Sequence, residues 1–144
     1  MKKKISIILF FVFFLFEVNA NNNFFDEAKK KYDEENLKDS KFLFQKNIVF
    51  NPKHAKSYLY LAKIYNSEEN KKEEIKNLKT VLLLEPENEE AIYLLIEIEL
   101  EKSNFSEVKD LMKKFEIVCL NLCKKIENIE ERLQDFDLKN SSKE

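Results

Sequence analysis

Residues 52–86 read PKHAKSYLYLAKIYNSEENKKEEIKNLKTVLLLEP. Tyr58, Leu61, Ala62 and Tyr65 fall at i, i+3, i+4 and i+7, the spacing that puts side chains on one side of an α-helix. A second helical stripe follows in Ile75, Leu78, Val81 and Leu82. Between the stripes, Asn66 to Glu74 contains no apolar residue and cannot continue a buried face. The stretch predicts a helix, a turn and a second helix.

The same pattern recurs on both sides. Pro52 and Pro86 are 34 residues apart, and Phe44, Leu78 and Met112 keep that step, as do Ser40, Glu74 and Val108, and Leu61 with Leu95. A repeat in this range is the signature of a solenoid, in which each unit buries its apolar face against the next. With Tyr58, Leu61, Ala62, Tyr65, Leu78 and Pro86 in place, the sequence resembles the tetratricopeptide repeat family. That resemblance implies an all-α fold: a right-handed superhelix of about three helix-turn-helix repeats with a long C-terminal capping helix. The repeats are expected at 21–52, 53–88 and 89–120, with a C-terminal extension over 121–138 and a disordered tail at 139–144.

Three departures shape the expectations. Glu74 stands where the family has a small residue for close helix contact, so Ile75 is expected to take over the packing or the contact to be looser. Tyr32 sits one residue late relative to Tyr65, which suggests a one-residue deletion in the first turn. The third repeat lacks the closing proline, so its second helix is expected to run on as one long helix from Ser106.

Composition agrees with helices that carry polar outer faces: 36% charged residues, 44% apolar, no glycine and two prolines. All-β folds need turn residues this chain lacks. At the N-terminus, Lys2, Lys3 and Lys4 precede an apolar run from Ile5 to Phe16, and Val18-Asn19-Ala20 supplies small residues for a signal peptidase. Such a run reaches roughly 18 Å as a helix, short of a bilayer core of roughly 30 Å. Residues 1–20 therefore read as a signal peptide, and the protein as exported, periplasmic or secreted. The alternative is an inner-membrane anchor left uncleaved, which would be its sole membrane contact. The net charge is −2 for the whole chain and −4 once residues 1–20 are removed (22 − 26), and a mildly acidic exported domain argues against nucleic acid as a partner.

Asn88, two residues past Pro86, can cap the next helix, and His54 holds the equivalent place after Pro52. His54 reads as a solvated cap-region residue, since Cys, Asp or Glu at ligand spacing do not accompany it. Phe115, Cys119, Leu122, Ile126, Ile129, Leu133 and Phe136 alternate steps of four and three, a heptad seam. It can cover the open end of the third repeat or pair with a second copy as a coiled coil and homodimer. Cys119 and Cys123 lie one helical turn apart, where a disulfide would staple a helix only to itself. They read as two buried thiols, with an intermolecular bond across a paired seam as the alternative.

No cofactor, metal or catalytic constellation is apparent. A phosphate-cradling glycine loop and a nucleophile motif are both missing, and the acidic runs read as solvated faces, so the chain is not expected to be an enzyme. The resemblance instead implies a scaffold that binds a protein or peptide partner. Once the core stripe is assigned, a second stripe remains on the first helix of each repeat: Lys56, Leu59, Lys63 and Asn66, then Glu90, Tyr93, Glu97 and Leu100. One step back gives Asn22, Phe25, Lys29 and Tyr32, with a one-residue uncertainty. Phe25, Leu59 and Tyr93 would form an apolar row along a groove, unless the chain's own C-terminal helix covers it. The family's carboxylate-gripping clamp has basic and amide side chains where Glu90 and Glu97 stand, so an amphipathic helix or extended segment is the expected ligand.

Overall fold

The computed structural model describes residues 24–141, and the expected signal segment lies outside them. The described chain is all-α. Three antiparallel helix pairs follow one another: α1 (Phe24–Asp33) with α2 (Leu37–Phe50), α3 (Ala55–Ser67) with α4 (Lys71–Leu84), and α5 (Glu89–Glu101) with α6 (Phe105–Val118). A short 3₁₀ turn at Cys123–Lys125 then leads into α7 (Ile126–Ser141).

The 34-residue step governs the backbone itself. Glu35, Glu69 and Ser103 all adopt the left-handed conformation, with φ of 59°, 57° and 57°. Each ends the first helix of its pair in a Schellman turn, and Asn36, Asn70 and Asn104 donate their N–H groups back to Lys31, Tyr65 and Glu99. The same asparagines stand at the N-cap of the second helices; Asn36 and Asn70 accept from the N–H groups of Asp39 and Glu73, while the Asn104 side chain donates to Glu99 instead. Because these turns keep step, the first repeat contains no deletion. Tyr32 is the counterpart of Asn66 and Leu100, not of Tyr65, and the stepped-back residues Phe25, Lys29 and Tyr32 are in register, while Asn22 lies outside the described residues.

Each interior helix is sandwiched, and the core follows from that. Leu61 and Ile64 of α3 pack back against Ala28, Leu43 and Phe44, while Ala55, Leu59 and Ala62 of the same helix join the larger cluster that continues through α4, α5 and α6. Asn88 caps α5 as expected, accepting from the N–H of Ala91 at 3.0 Å. His54 caps α3 but is half-buried rather than solvated. Its ring lies 4.5 Å from that of Phe25, and its Nδ1 faces the Ser57 hydroxyl.

Glu74 fills the small-residue slot itself. It is buried, as its counterparts Ser40 and Val108 are, whereas Ile75 is half-buried. Ser40 donates to the Ala28 carbonyl at 2.9 Å. Glu74 forms an ion pair with Lys71 at 3.3 Å, and its Oε2 has no hydrogen bond.

The long C-terminal helix is a correction. α6 stops at Val118, the same register at which α2 and α4 stop at Phe50 and Leu84. Cys119 and Cys123 form an intramolecular disulfide, so they are neither buried thiols nor a link between copies. The bond needs Cβ atoms roughly 3.5–4.5 Å apart, while residues four apart on an α-helix hold theirs at roughly 5–6 Å. Closing it therefore breaks the helix that the sequence pattern favours.

The heptad stripe is consequently divided. Phe115 belongs to α6 and is fully buried, Cys119 and Leu122 lie in the break, and Ile126, Ile129, Leu133 and Phe136 belong to α7. Ile129 is 0% exposed and packs into the core of the same chain. Phe136 stacks on Phe105, and Arg132 pairs with Glu97 at 2.8 Å. Here α7 covers the end of the array, and the seven residues do not form one continuous pairing seam. It also extends through Ser141, so residues 139–141 are helical rather than a disordered tail.

Candidate partner-binding face

Burial on both sides leaves each first helix a narrow exposed strip. On α3 the residues not buried include Lys56, Tyr60, Lys63 and Ser67, at i, i+4, i+7 and i+11. Leu59, expected on this strip, is buried in the core, and so is Leu100. Tyr60 takes the exposed place. A tyrosine can keep its hydroxyl wet while its ring packs, whereas an adjacent leucine gains most by full burial.

Side-chain contacts run continuously along this face from one first helix to the next. Phe25 and Tyr32 of α1 meet Tyr60 edge-on, with ring centroids 5.9 Å and 5.0 Å away, and Phe44 stacks on Tyr60 from beneath. Lys63 lies 5.1 Å over the Tyr60 ring and reaches across to Glu90 of α5 at 2.6 Å. Tyr93 packs on Phe115, and Lys125 lies 5.5 Å over its ring. Glu97 then receives Arg132 from α7.

The structure thus brings Phe25, Lys63, Glu90, Tyr93 and Glu97 together and places Lys29 beside them, paired with Asp33 at 2.6 Å. Lys56 and Asn66 are exposed, the latter accepting from Lys71. The apolar row Phe25–Leu59–Tyr93 is not a free ridge: Leu59 is covered, and Tyr93 is partly roofed by the C-terminal segment. Tyr60, Lys125 and Arg132 were missed by sequence reasoning. Tyr60 could have been found from its place between two buried leucines in Leu59-Tyr60-Leu61. The two basic residues could not, since they reach the face only because the chain turns back after Val118.

Most of the charge on the face is paired. Lys29 is held above its ordinary value by its hydrogen bond to Asp33. Lys63, Lys125 and Arg132 likewise have a carboxylate or an aromatic ring as partner, while Lys56 stands exposed, which leaves half-buried aromatic rings as the distinctive chemistry of the face.

No protein-family model and no curated protein matches the sequence. The fold, however, matches solved structures. The Yersinia enterocolitica type III secretion chaperone SycD, in complex with a peptide of the translocator YopD, aligns at a TM-score of 0.70 with 15% identity over 86% of this chain and 98% of that one. SycD on its own aligns at 0.71 with 14% identity, over 90% of this chain and 93% of that chain. A chain of the CopN-Scc3 complex aligns at 0.63 with 15% identity, over 83% and 72%. At such identities the likeness is one of fold: the chain is an all-helical array of the tetratricopeptide-like kind seen in these chaperones.

Proposed function

We propose that this protein is a non-enzymatic scaffold that binds a peptide or helix of a partner protein along the face of its first helices, in the bacterial cell envelope. The observation that carries the reading is the set of half-buried rings on successive first helices: Phe25 and Tyr32 in contact with Tyr60, and Tyr93 joined to them through the Lys63–Glu90 pair, with most of the charges beside them already paired. Such a surface offers apolar anchoring and hydroxyl hydrogen bonds without demanding a charged ligand. The SycD complex, in which a protein of the same fold holds a peptide, supports the choice of ligand class. Location in the envelope rests on the N-terminal Lys-rich and apolar segment, and on the Cys119–Cys123 disulfide, a bond that persists in oxidising compartments.

Affinity capture from envelope extract, followed by calorimetry with the recovered segment, tests both parts. Tyr60→Ser with Tyr93→Ser should weaken binding by at least about 2 kcal/mol, roughly thirtyfold. Full affinity in a double variant that keeps its helical melt would remove this face from consideration. Recovery of nothing but the protein itself would favour self-assembly as its main business.

A further inference from the structure

The second helices present a different surface. Their outward strips are Lys38, Phe42, Gln45 and Val49 on α2; Lys72, Lys76, Lys79 and Leu83 on α4; and Ser106, Asp110, Lys113 and Ile117 on α6, all exposed. The last slot is aliphatic three times at the 34-residue step. Val49 is 76% exposed, Leu83 81% and Ile117 83%. Single exposed apolar residues are ordinary, but one recurring at the same slot of every repeat is a row. One to three turns behind the row, lysine stands at 38, 72, 76, 79 and 113, with Asp110 as the acid among these strips; Lys76 pairs with Glu73 and Lys113 with Asp110, each at 3.0 Å, so the excess positive charge is on Lys38, Lys72 and Lys79. A basic patch thus lies on a chain whose net charge is −2.

We propose that this outer surface docks on an anionic lipid surface, with Val49, Leu83 and Ile117 dipping into the headgroup boundary and the lysines lying on the lipid phosphates. Aliphatic tips spaced by one repeat, 76–83% exposed and bordered by lysines, suit an anionic bilayer interface, where insertion needs no pocket around each tip. Lysines near a negatively charged membrane add about fivefold in affinity each, and salt screens that contribution. The folded array itself would make this contact, leaving the aromatic face of the first helices open to a partner.

The test is flotation of the full chain with vesicles of phosphatidylglycerol and phosphatidylcholine, against phosphatidylcholine alone, at low and high salt. The wild type should float with the anionic vesicles, less so as salt rises. Lys72→Glu with Lys76→Glu and Lys79→Glu should reduce its affinity at least about a hundredfold, and Val49→Ser with Leu83→Ser and Ile117→Ser at least tenfold. These positions are exposed, and circular dichroism run alongside checks that the variants fold. Residual binding common to all variants measures the apolar segment at residues 5–16. Equal flotation of the wild type and the triple-glutamate variant overturns the proposal. So does light scattering that shows a dimer dissolved by the Val49, Leu83 and Ile117 substitutions, since the row would then face a second copy.

Discussion

The carboxylate of Glu89 accepts the backbone N–H of Leu120 at 2.7 Å, tying the first turn of α5 to the point where the chain leaves α6. The N–H groups of Asn121 and Leu122 and the Asn121 side-chain amide converge on the same carboxylate. Successive amides aimed at one anion form a nest. It replaces the closing proline of the earlier repeats with a long-range contact.

Those donors, the Leu120 N–H foremost and then the Asn121 amide, hold the Glu89 carboxyl down to about 2 from an ordinary 4.5. A depressed folded-state value stabilises the protein above the ordinary carboxylate range, and the contribution is lost as pH falls from about 4.5 through about 2. Glu89→Gln should therefore flatten the acid limb of the stability profile in that window. Superimposable acid-unfolding curves for the two proteins would show that the nest does not secure the break.

Reduction of Cys119–Cys123 removes the other constraint on the break. Phe105 to Phe136 contains neither proline nor glycine, so the intervening residues can rejoin the helix. With a dithiol reductant, ellipticity at 222 nm should deepen, while stability falls by about 2 kcal/mol as a short closed loop is opened. An unchanged spectrum would assign the break to Glu89 alone.

Ile129→Asp places a charge in the core at the capped end and should destabilise the protein by about 3 kcal/mol or more in urea. The loss is expected in a monomer. If the substitution instead converts a dimer to a stable monomer, the residue belongs to an interface between copies.

Glu74→Val installs the residue its counterpart Val108 already has. Replacing a buried ion-pair member with an apolar side chain that fits should be neutral or stabilise by up to about 2 kcal/mol. A loss above about 1 kcal/mol would mean that Lys71, which also reaches Glu101 at 3.0 Å, depends on Glu74 for its place.

The helix pairs were legible because burial imposes a 3.6-residue rhythm on Tyr58, Leu61 and Leu78, and because asparagine and proline punctuate it at a fixed step. The candidate face was legible only to within a residue. The assignment of Leu59 and Tyr60 depends on how many neighbours α3 has, and a helix packed on two sides hides more than one stripe. The C-terminal end misled for a physical reason: the heptad from Phe115 to Phe136 is a sound helical pattern, overridden by a covalent bond and by Glu89, 31 residues upstream of Leu120. Local periodicity contains neither.

The three left-handed turns divide the chain at chemically equivalent joints. A segment beginning at Asn36 and closing at Glu69 starts and ends as the one from Asn70 to Ser103 does, with a capping asparagine at its head and a left-handed residue at its tail. Such segments are cassettes. Removing residues 70–103 would join Glu69 to Asn104 and recreate the same joint, so arrays of other lengths, and with them shorter or longer faces, lie one in-frame duplication or deletion away.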